Sequence, residues 1–393
     1  MGKVVAMTGN IAVANAMRQV NPDVCAAYPI TPSTEIMQQF ASFVSDGLVD
    51  TEFVAAESEH SSMSACIGAA AAGGRVMTAT SANGMALMWE MLYIAAGNRL
   101  PIVMALVNRA LSAPINIHCD HSDAMGARDS GWIQLFSENA QEAYDNLIQA
   151  VCISENMQVR LPVMVCMDGF IISHSIERME LLEDAQVKEF IGEYQPHYPL
   201  LDLNHPVTYG AIDLQDYYSE HKRQESQAME EARSVILEVS KRFGKAFGRE
   251  YSYFEGYRLE DAQIAVVALG SSCGTIRAVV DELRAKGIAA GSLKLRTFRP
   301  FPFDELAQAL KHVSAIAVLD RAESYGAGGP LCSEVRAALY GLAHHPQILG
   351  YVYGLGGRDF GLDAVHKVFQ DLQEAQAGKI DRRFKVGYLT VRE

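Results

Sequence analysis

The chain has 393 residues, of which 49% are hydrophobic and 20% are charged, and its formal net charge is −14. This length predicts more than one domain, and the negative charge disfavours a nucleic-acid partner because phosphate backbones attract cationic surfaces. We find no signal-peptide pattern and no apolar run long enough to span a bilayer, so we expect a cytoplasmic protein. The seven cysteines form no CxxC pair, which argues against a zinc or iron–sulfur site on this chain.

Residues 1–180 alternate short apolar stretches with helix-like stretches. We predict strands at Val24–Tyr28, Arg75–Ser81, Pro101–Asn108 and Leu161–Met167, and helices at Ser58–Ala72 and Met85–Ala96. Apolar strands that alternate with helices are typical of a parallel sheet covered on both faces. The sequence therefore predicts an α/β domain here.

The next two regions differ from each other in composition. Residues 181–260 are richer in charged and aromatic side chains, and Lys222–Phe247 is predicted to form one long helix because apolar residues recur at helical spacing. Further on, we predict strands at Ile264–Leu269, Ser292–Leu295 and Ile316–Asp320, and helices at Thr275–Lys286 and Asp304–Leu310. We therefore expect a connecting segment at 181–260 and a second α/β domain at 261–393.

Ligands of open parallel sheets bind beyond the carboxyl ends of the strands, and several polar clusters fall at such positions. The first is YPITPST at 28–34, where two prolines fix the backbone on either side of Thr31. Its hydroxyl could hydrogen-bond a small anion or a carbonyl group. The alternative, which the residues alone favour, is a turn before a helix that Ser33 or Thr34 caps.

The second cluster is ESEH at 57–60, which opens a helix of small residues. Glu57 and Glu59 could simply complement the positive end of the helix dipole, and the residues alone favour this reading. A carboxyl group on a mostly apolar platform could instead protonate a ring nitrogen of a ligand.

The third cluster follows the strand that ends at Asn108. Arg109 lies at the carboxyl end of that strand, and arginine is the natural clamp for a substrate carboxylate. Imidazole and acidic groups follow it, at His118, Asp120, His121 and Asp123. Their spacing matches no metal-binding motif, so we predict no metal site on this chain.

One motif indicates a competing chemistry. Residues 270–274 read GSSCG between a predicted strand and helix, which fits the nucleophile elbow GxSxG of a hydrolase with Ser272 as the nucleophile. Asp320 and either His344 or His345 follow in the required chain order. However, the preceding strand is the first of its domain and no HGGG segment precedes it. We therefore favour a tight glycine turn that leads into the helix.

The polar clusters occur together with other recognisable segments in one order. The segments are AAYPITPST at 26–34, ESEH at 57–60, TATSANG at 78–84, NRALSAP at 108–114, DHSD at 120–123, LRTFRPFP at 295–302, VLDRAESYGAGG at 318–329 and GLGGRDF at 354–360. This set resembles the α subunit of the multi-subunit pyruvate and 2-ketoisovalerate ferredoxin oxidoreductases. The resemblance covers nearly the whole chain.

The resemblance implies a particular fold and a division of labour between subunits. The expected fold class is α/β, with a thiamine-diphosphate-binding-type parallel-sheet domain of the pyrimidine-binding kind at 1–180. A transketolase C-terminal-like α/β domain, which serves mainly in assembly, is expected at 261–393. The GDG motif that binds the diphosphate is missing, and the nearest string is Met167-Asp168-Gly169. The resemblance therefore implies that a β subunit holds the diphosphate, Mg²⁺ and a [4Fe–4S] cluster, beside a γ subunit and a ferredoxin-like δ subunit with further clusters.

The resemblance also implies roles for particular residues. Glu59 matches the catalytic glutamate that contacts N1′ of the aminopyrimidine of thiamine diphosphate and favours its imino tautomer. Ser81 and Asn83 match residues that line the same cofactor cleft. Thr31 and Arg109 match the residues that bind the substrate carboxylate.

The implied function is oxidative decarboxylation of pyruvate with CoA to acetyl-CoA and CO₂, with electrons passed to ferredoxin by the assembled complex. Relatives that use oxalate carry arginine at the position of Thr31, so threonine favours a monocarboxylate. A 2-ketoisovalerate or other 2-oxoacid oxidoreductase remains an alternative, as does a non-catalytic assembly subunit.

Overall fold

The computed structural model describes residues 2–380 and 385–392 of the chain. Residues up to 247 form β1 (Lys3–Thr8), α1 (Gly9–Val20), β2 (Val24–Ala27), α2 (Thr34–Ser45), β3 (Glu52–Ala55), α3 (Glu59–Ala72), β4 (Val76–Thr80), α4 (Ala82–Leu87), α5 (Trp89–Gly97), β5 (Ile102–Asn108), α6 (Ser122–Gly126), β6 (Ile133–Phe136), α7 (Ala140–Glu155), β7 (Val163–Asp168), β8 (Ile176–Leu181), α8 (Asp184–Ile191) and α9 (Tyr218–Phe247). The remainder forms β9 (Phe254–Tyr257), β10 (Ile264–Ala268), α10 (Ser272–Ala285), β11 (Ala290–Leu295), β12 (Thr297–Arg299), α11 (Phe303–Leu310), β13 (Ala315–Asp320), α12 (Pro330–Leu339), β14 (Gln347–Val352), α13 (Leu362–Gln376) and β15 (Gly387–Tyr388). None of the helices in these residues is long and apolar enough to cross a membrane.

The larger sheet has seven strands in the order β12-β6-β7-β5-β4-β2-β3. All of its neighbouring strands pair in parallel except β12, which comes from much later in the chain and lies antiparallel to β6. Strands β4, β5 and β7 are buried along their whole length. Their sequences are continuously apolar because helices cover both faces of this sheet.

The smaller sheet has six strands in the order β15-β14-β13-β10-β11-β9. These strands are also parallel, except for β9, which pairs with β11 in the antiparallel direction. Helices α10 and α13 pack on one face of the sheet with β10 and β13 in a separate apolar cluster. This arrangement buries the strands that the sequence predicted from Ile264 onward.

One hydrophobic cluster lies between the two sheets and contains residues of both. Helices α1, α2, α7 and α9 cover one face of the larger sheet. On its other face, α3 and α5 belong to an apolar cluster that also contains residues of β10, β11 and β13 from the smaller sheet. Within it, the rings of Phe136 and Phe298 meet edge to face with centroids 6.2 Å apart. The two α/β units are therefore joined by buried apolar contacts and by the pairing of β12 with β6.

The long helix α9 follows from its sequence pattern. It begins at Tyr218, four residues before the predicted start at Lys222, and ends where Gly248 adopts a left-handed backbone conformation with φ +75°. Its buried face presents Ala228, Ala232, Val235, Ile236, Val239 and Phe243. This apolar stripe packs against the larger sheet's helices, so the helix crosses the surface of the first α/β unit.

Two features differ from the predicted elements. The stretch predicted as the single helix Met85–Ala96 belongs to two helices, α4 and α5, which meet at Met88. In addition, β1 and β8 form an antiparallel pair in which Lys3 lies opposite Leu181. Periodicity in a local window carries no information about such a pairing between distant segments. The domain boundaries at 180 and 260 stay predictions.

A buried ionic cluster connects the two α/β units. Asp168, at the end of β7, accepts a hydrogen bond from Arg321 Nη1 at 2.8 Å and lies 2.7 Å from His121 Nε2. It also accepts hydrogen bonds from the backbone N–H and the hydroxyl of Ser271. Burial by itself raises the pKa of Asp168, but Arg321 and His121 outweigh it and hold this pKa well below its usual range. Asp168 is therefore a buried anion whose partners come from both units.

Replacing Asp168 with asparagine should destabilise the protein, because the guanidinium of Arg321 would stay buried without its counter-charge. We expect the free energy of unfolding, measured by urea denaturation, to fall by about 3–5 kcal/mol. The matched control is Asp281→Asn, which removes an exposed ion pair with Arg258 and should cost less than about 1 kcal/mol. Equal losses in the two variants would contradict a special role for the buried cluster.

The stability difference between the natural chain and Asp168→Asn should depend on pH, in a direction that the pKa of Asp168 sets. Because the pKa of Asp168 is lowered on folding, its stabilising contribution is present above the ordinary pKa of a carboxyl group, which is about 4. That contribution is lost as the pH falls toward the pKa in the folded state. The difference in stability between the natural chain and Asp168→Asn should therefore shrink in acid.

Candidate active site

The carboxyl ends of four adjacent parallel strands deliver the predicted site residues to one edge of the larger sheet. In the sheet order β5-β4-β2-β3, Arg109 follows β5, Ser81 and Asn83 follow β4, Thr31 follows β2 and Glu59 follows β3. Because the strands run in parallel, these residues lie on the same side of the sheet. The fold thus brings the predicted site residues to one side of the sheet, as their positions after the strands predicted.

Glu59 is the first residue of α3 and is only 6% exposed. The hydroxyl of Ser58 caps this helix by accepting a hydrogen bond from Ser61 N–H, so the cap does not use the Glu59 carboxylate. Within the described ranges 2–380 and 385–392, that carboxylate has no hydrogen bond and no ion pair. A largely buried carboxyl group that no protein group engages can hydrogen-bond a ligand.

Gly84 allows the Glu59 side chain to reach this position. A Cβ atom on Gly84 would lie 2.8 Å from Glu59 Oε1, so a larger residue would have to displace the carboxylate. The neighbouring hydroxyl groups of Thr80 and Ser81 are buried and have no hydrogen-bond partner among the described residues. Three polar groups that lack partners therefore occur at the end of β4 and the start of α3, which is what a site for a polar ligand requires.

Arg109 and Thr31 are in direct contact, but through the backbone of Thr31. Arg109 Nη1 donates to the carbonyl oxygen of Thr31 at 2.8 Å, and Nε donates to the carbonyl oxygen of Asn116, also at 2.8 Å. These two bonds fix the orientation of the guanidinium, and Nη2 has no partner within the part of the chain that the structure describes. Thr31 itself is exposed, so its hydroxyl and Arg109 Nη2 are available to an anionic ligand.

Of the alternative reading at 28–34, the structure contains the turn before a helix, but Ser33 at the N-cap position makes no side-chain cap. Ser33 precedes α2, but its hydroxyl donates to the carbonyl of Ile30 at 2.8 Å and makes no cap hydrogen bond. The segment therefore holds a compact turn that exposes Thr31. Asn83, the remaining predicted residue, accepts a hydrogen bond from Ser112 N–H at 3.2 Å through its side-chain oxygen.

Asp123 is a site-forming residue whose role the sequence did not reveal. Its carboxylate accepts hydrogen bonds from the backbone N–H of Ala82 at 2.9 Å, of Arg109 at 3.0 Å and of Ala124 at 2.7 Å, and from Asn108 Nδ2 at 2.8 Å. Burial raises the pKa of Asp123 to about 6, although these four donors favour the ionised form. The carboxylate joins the turn after β4 to the end of β5. The only sequence signal was its place in a polar loop.

The other polar residues of that loop bind separate partners. Asp120 accepts hydrogen bonds from Ser122, and His121 pairs with Asp168. Cys119, His121 and Asp168 lie close enough together to be compared with a metal site. However, Arg321 donates to Asp168, and its Nη1 lies 3.7 Å from the Cys119 sulfur, so a fixed cation already balances this group.

The geometry around Ser272 does not support a hydrolase. Its hydroxyl lies 2.6 Å from the hydroxyl of Tyr353 and 3.2 Å from the carbonyl of Leu269, and no histidine of the described residues bonds to it. Asp320 instead accepts hydrogen bonds from two backbone N–H groups at the start of α12. The GSSCG segment is a turn at Gly270, with φ +68°, that leads directly into α10, which begins at Ser272.

Comparisons with known proteins identify the family of the chain. A family model described as pyruvate flavodoxin/ferredoxin oxidoreductase, thiamine diphosphate-binding, matches residues 15–241. A second model, for core domain II of pyruvate:ferredoxin oxidoreductase, matches residues 262–365. The chain belongs to the pyruvate:ferredoxin oxidoreductase family.

Curated members of the pyruvate:ferredoxin oxidoreductase family resemble the chain over almost its whole length. The pyruvate synthase subunit PorA of Thermotoga maritima is 60% identical over 93% of this chain and 94% of its own. The corresponding subunit of Methanocaldococcus jannaschii is 46% identical over 96% of both chains. The ketoisovalerate oxidoreductase subunit VorA of Pyrococcus horikoshii is 43% identical, again over 96% of both.

Solved structures show the same fold at low sequence identity. The 2-oxoglutarate:ferredoxin oxidoreductase from Magnetococcus marinus aligns with a TM-score of 0.75 at 21% identity, over 95% of this chain and 66% of that longer one. A split-gene transketolase aligns with a TM-score of 0.56 at 13% identity, over 96% of this chain and 100% of the other. The predicted fold class and the predicted family are confirmed. The individual roles of Glu59, Ser81, Asn83, Thr31 and Arg109 stay predictions.

Replacing Asp123 with asparagine should loosen the site. Whichever way the amide turns, its NH₂ group would face two of the four donors that the carboxylate now accepts. We expect the free energy of unfolding to fall by about 1–3 kcal/mol. Amide hydrogen exchange should also become faster in the peptide that contains Ala82 and in the peptide that contains Arg109. The exposed Asp129→Asn is the matched control. Unchanged exchange in these peptides would show that the carboxylate does not hold the two segments together.

Proposed function

We propose that this chain is the α subunit of a pyruvate:ferredoxin oxidoreductase, and that it supplies the pyrimidine-facing half of a thiamine diphosphate site shared with another subunit. The assembled enzyme would convert pyruvate and CoA to acetyl-CoA and CO₂ and reduce ferredoxin. The observation that carries the proposal is the buried carboxylate of Glu59, which has no polar partner within the described residues and lies beside the unpartnered hydroxyls of Thr80 and Ser81.

This set of groups fits the polar edge of an aminopyrimidine. Thiamine diphosphate, when bound, supplies the carbon nucleophile and the electron sink that decarboxylation of a 2-oxoacid requires. Glu59 would hold a proton at the ring nitrogen N1′, and its burial excludes water that would compete for this hydrogen bond. Ser81 and Asn83 would line the same cleft, where the buried Ser81 hydroxyl would gain the partner that it lacks among residues 2–380 and 385–392.

Arg109 and Thr31 would bind the substrate carboxylate. The two bonds from Arg109 to backbone carbonyls leave Nη2 for a ligand, so the guanidinium is oriented before the substrate arrives. Thr31 contributes an uncharged hydroxyl beside this single cation. A site with one positive group suits a monocarboxylate such as pyruvate better than a dicarboxylate.

Several apolar side chains that lie close in sequence to the site residues are exposed, which supports a partner subunit that covers the site. They are Tyr28, Leu87, Trp89, Ile115 and Ile117. Exposed apolar groups in one region are typical of subunit interfaces. We propose that the partner is a β subunit that holds the diphosphate, Mg²⁺ and a [4Fe–4S] cluster, within a complex that also contains γ and δ subunits.

A different 2-oxoacid substrate and a non-catalytic role are the two alternatives to this proposal. Two relatives named as ketoisovalerate oxidoreductase subunits, each 43% identical, are as similar to this chain as two named as pyruvate synthase subunits, at 43% and 42%. A branched 2-oxoacid is therefore an alternative substrate. A non-catalytic assembly subunit is the alternative from another class, and it predicts no effect of Arg109 on substrate affinity.

Replacing Glu59 with glutamine should abolish most activity without disturbing assembly, because the amide keeps the shape of the side chain but cannot hold the proton. In the complex co-purified with its partner subunits, pyruvate- and CoA-dependent reduction of a dye should fall at least about a hundredfold. The complex should still elute at its normal size. Glu57→Gln is the matched control, because Glu57 is exposed and bonds only to Ser61 among the described residues. Turnover close to normal in Glu59→Gln would remove Glu59 from the mechanism.

Replacing Arg109 with alanine should raise the KM for pyruvate. A charge-assisted hydrogen bond is lost, so we expect a rise of about 10- to 100-fold, with a smaller effect on kcat. The control is Arg178→Ala, which changes an exposed arginine on β8. A KM within error of the natural enzyme, in a complex of normal size, would favour the assembly-subunit alternative.

A further inference from the structure

We infer that the glycine turn at residues 354–357, in the second α/β unit, positions Arg109 for substrate binding by holding Asn116. This inference rests on the proposed role of Arg109. It gives the second unit a part in substrate affinity in addition to assembly.

Asn116 stands between the turn and the arginine. Its backbone carbonyl accepts the hydrogen bond from Arg109 Nε at 2.8 Å, and its side-chain Nδ2 donates to the carbonyl of Gly356 at 3.0 Å. Its side-chain oxygen also accepts a hydrogen bond from His118 N–H at 2.6 Å. A displacement of the turn would therefore move the same residue that orients the guanidinium.

The turn also donates hydrogen bonds to the part of the loop that follows Asn116. The N–H of Gly357 donates to the carbonyl of Cys119 at 2.7 Å, and the N–H of Gly356 donates to the carboxylate of Asp120 at 3.3 Å. Arg321, also from the second unit, accepts a hydrogen bond from His121 N–H at 2.7 Å through its backbone carbonyl. These contacts occur along the part of the loop that follows Asn116.

The preceding part of the loop has little packing of its own. Residues 112–115 are exposed, and Asn116 is only partly buried between the exposed side chains of Ile115 and Ile117. Apolar burial therefore does not fix Asn116, and its hydrogen bonds must do so. Since loops with few buried contacts open easily, the bond to Gly356 should decide how firmly Asn116, and through it Arg109, is held.

Glycine is required at this turn for two reasons. Gly354, Gly356 and Gly357 have φ values of +62°, +58° and +79°, in the left-handed region that other residues rarely adopt. There is also no room for a side chain. A Cβ atom on Gly356 would overlap Asn116 Nδ2, and one on Gly357 would lie 2.5 Å from His118 Cβ. A single methyl group added at Gly356 therefore disturbs the contact with Asn116 directly.

The test measures steady-state kinetics of the complete complex with Gly356→Ala and with Asn116→Ala. We expect each variant to raise the KM for pyruvate roughly three- to tenfold while kcat changes by less than about twofold, as for the loss of one orienting hydrogen bond. The matched control is Gly361→Ala, because Gly361 has a negative φ and open space where a Cβ atom would stand. Asn116→Ala keeps the backbone carbonyl and removes no glycine, so it remains informative if Gly356→Ala fails to assemble.

A second measurement separates positioning from a general loss of stability. Hydrogen exchange in peptides spanning residues 109–121 should become faster in both variants and stay unchanged in Gly361→Ala. In addition, adding Asn116→Ala to an Arg109→Ala enzyme should cause no further rise in KM, since the arginine through which it acts is gone. A further rise of the same size would show that Asn116 acts by another route and would overturn the inference.

The outcomes distinguish this inference from the proposed function. If Arg109→Ala raises the KM for pyruvate but Gly356→Ala and Asn116→Ala do not, the proposed function stands and the positioning role is wrong. If Arg109→Ala itself leaves the KM unchanged, the proposed role of Arg109 fails, and the positioning role fails with it.

Discussion

The site depends on one buried carboxylate, that of Asp123, which accepts hydrogen bonds from the ends of two adjacent strands. Parallel pairing brings the carboxyl ends of β4 and β5 to the same edge, but it does not fix the direction in which the chain leaves them. Asp123 supplies that constraint, because one oxygen accepts from the N–H groups of both Ala82 and Arg109. The carboxylate of Asp123 thus links the residues proposed to face the cofactor to those proposed to face the substrate, beside the bond from Ser112 N–H to Asn83.

The buried carboxylates of the framework differ from that of Glu59 in their hydrogen bonding. Asp123 and Asp168 each accept several hydrogen bonds, so their burial is compensated. In contrast, the carboxylate of Glu59 and the hydroxyls of Thr80 and Ser81 are buried without partners among residues 2–380 and 385–392. Among the described residues, unpartnered buried atoms also occur away from the site, for example Gln134 Oε1 and Thr297 Oγ1. It is therefore the grouping of Thr80 and Ser81 beside Glu59 that indicates a place for a ligand or another polypeptide.

Local patterns in the sequence predicted the elements whose burial is uniform, and missed the contacts between distant segments. The strands β4, β5 and β7 are apolar throughout because both faces are covered, so their sequences alone indicate a parallel sheet. The addition of β12 to that sheet and the pairing of β1 with β8 join residues far apart in the chain, and periodicity in a short window cannot register them. The break at Met88 is likewise invisible, because the sequence remains helix-forming across it.

Some features of the candidate site could likewise be predicted from the sequence, and others could not. Its location could be predicted, since ligands bind at the carboxyl ends of parallel strands and polar residues follow those strands. The predicted role of Glu59 came from the family resemblance, because the residues alone favoured a helix-dipole role. For Arg109 the chemistry of the side chain already indicated a carboxylate clamp. The partners of Asp123 are mostly backbone N–H groups, which every residue except proline possesses, so no sequence pattern marks them.

The loop that leads from Arg109 is bonded to the second unit. Arg321 and Gly357 of that unit make hydrogen bonds to residues 119–121, so moving the two units apart must break them. The geometry of Arg109, the residue proposed to bind the substrate carboxylate, is therefore tied to the interface between the units.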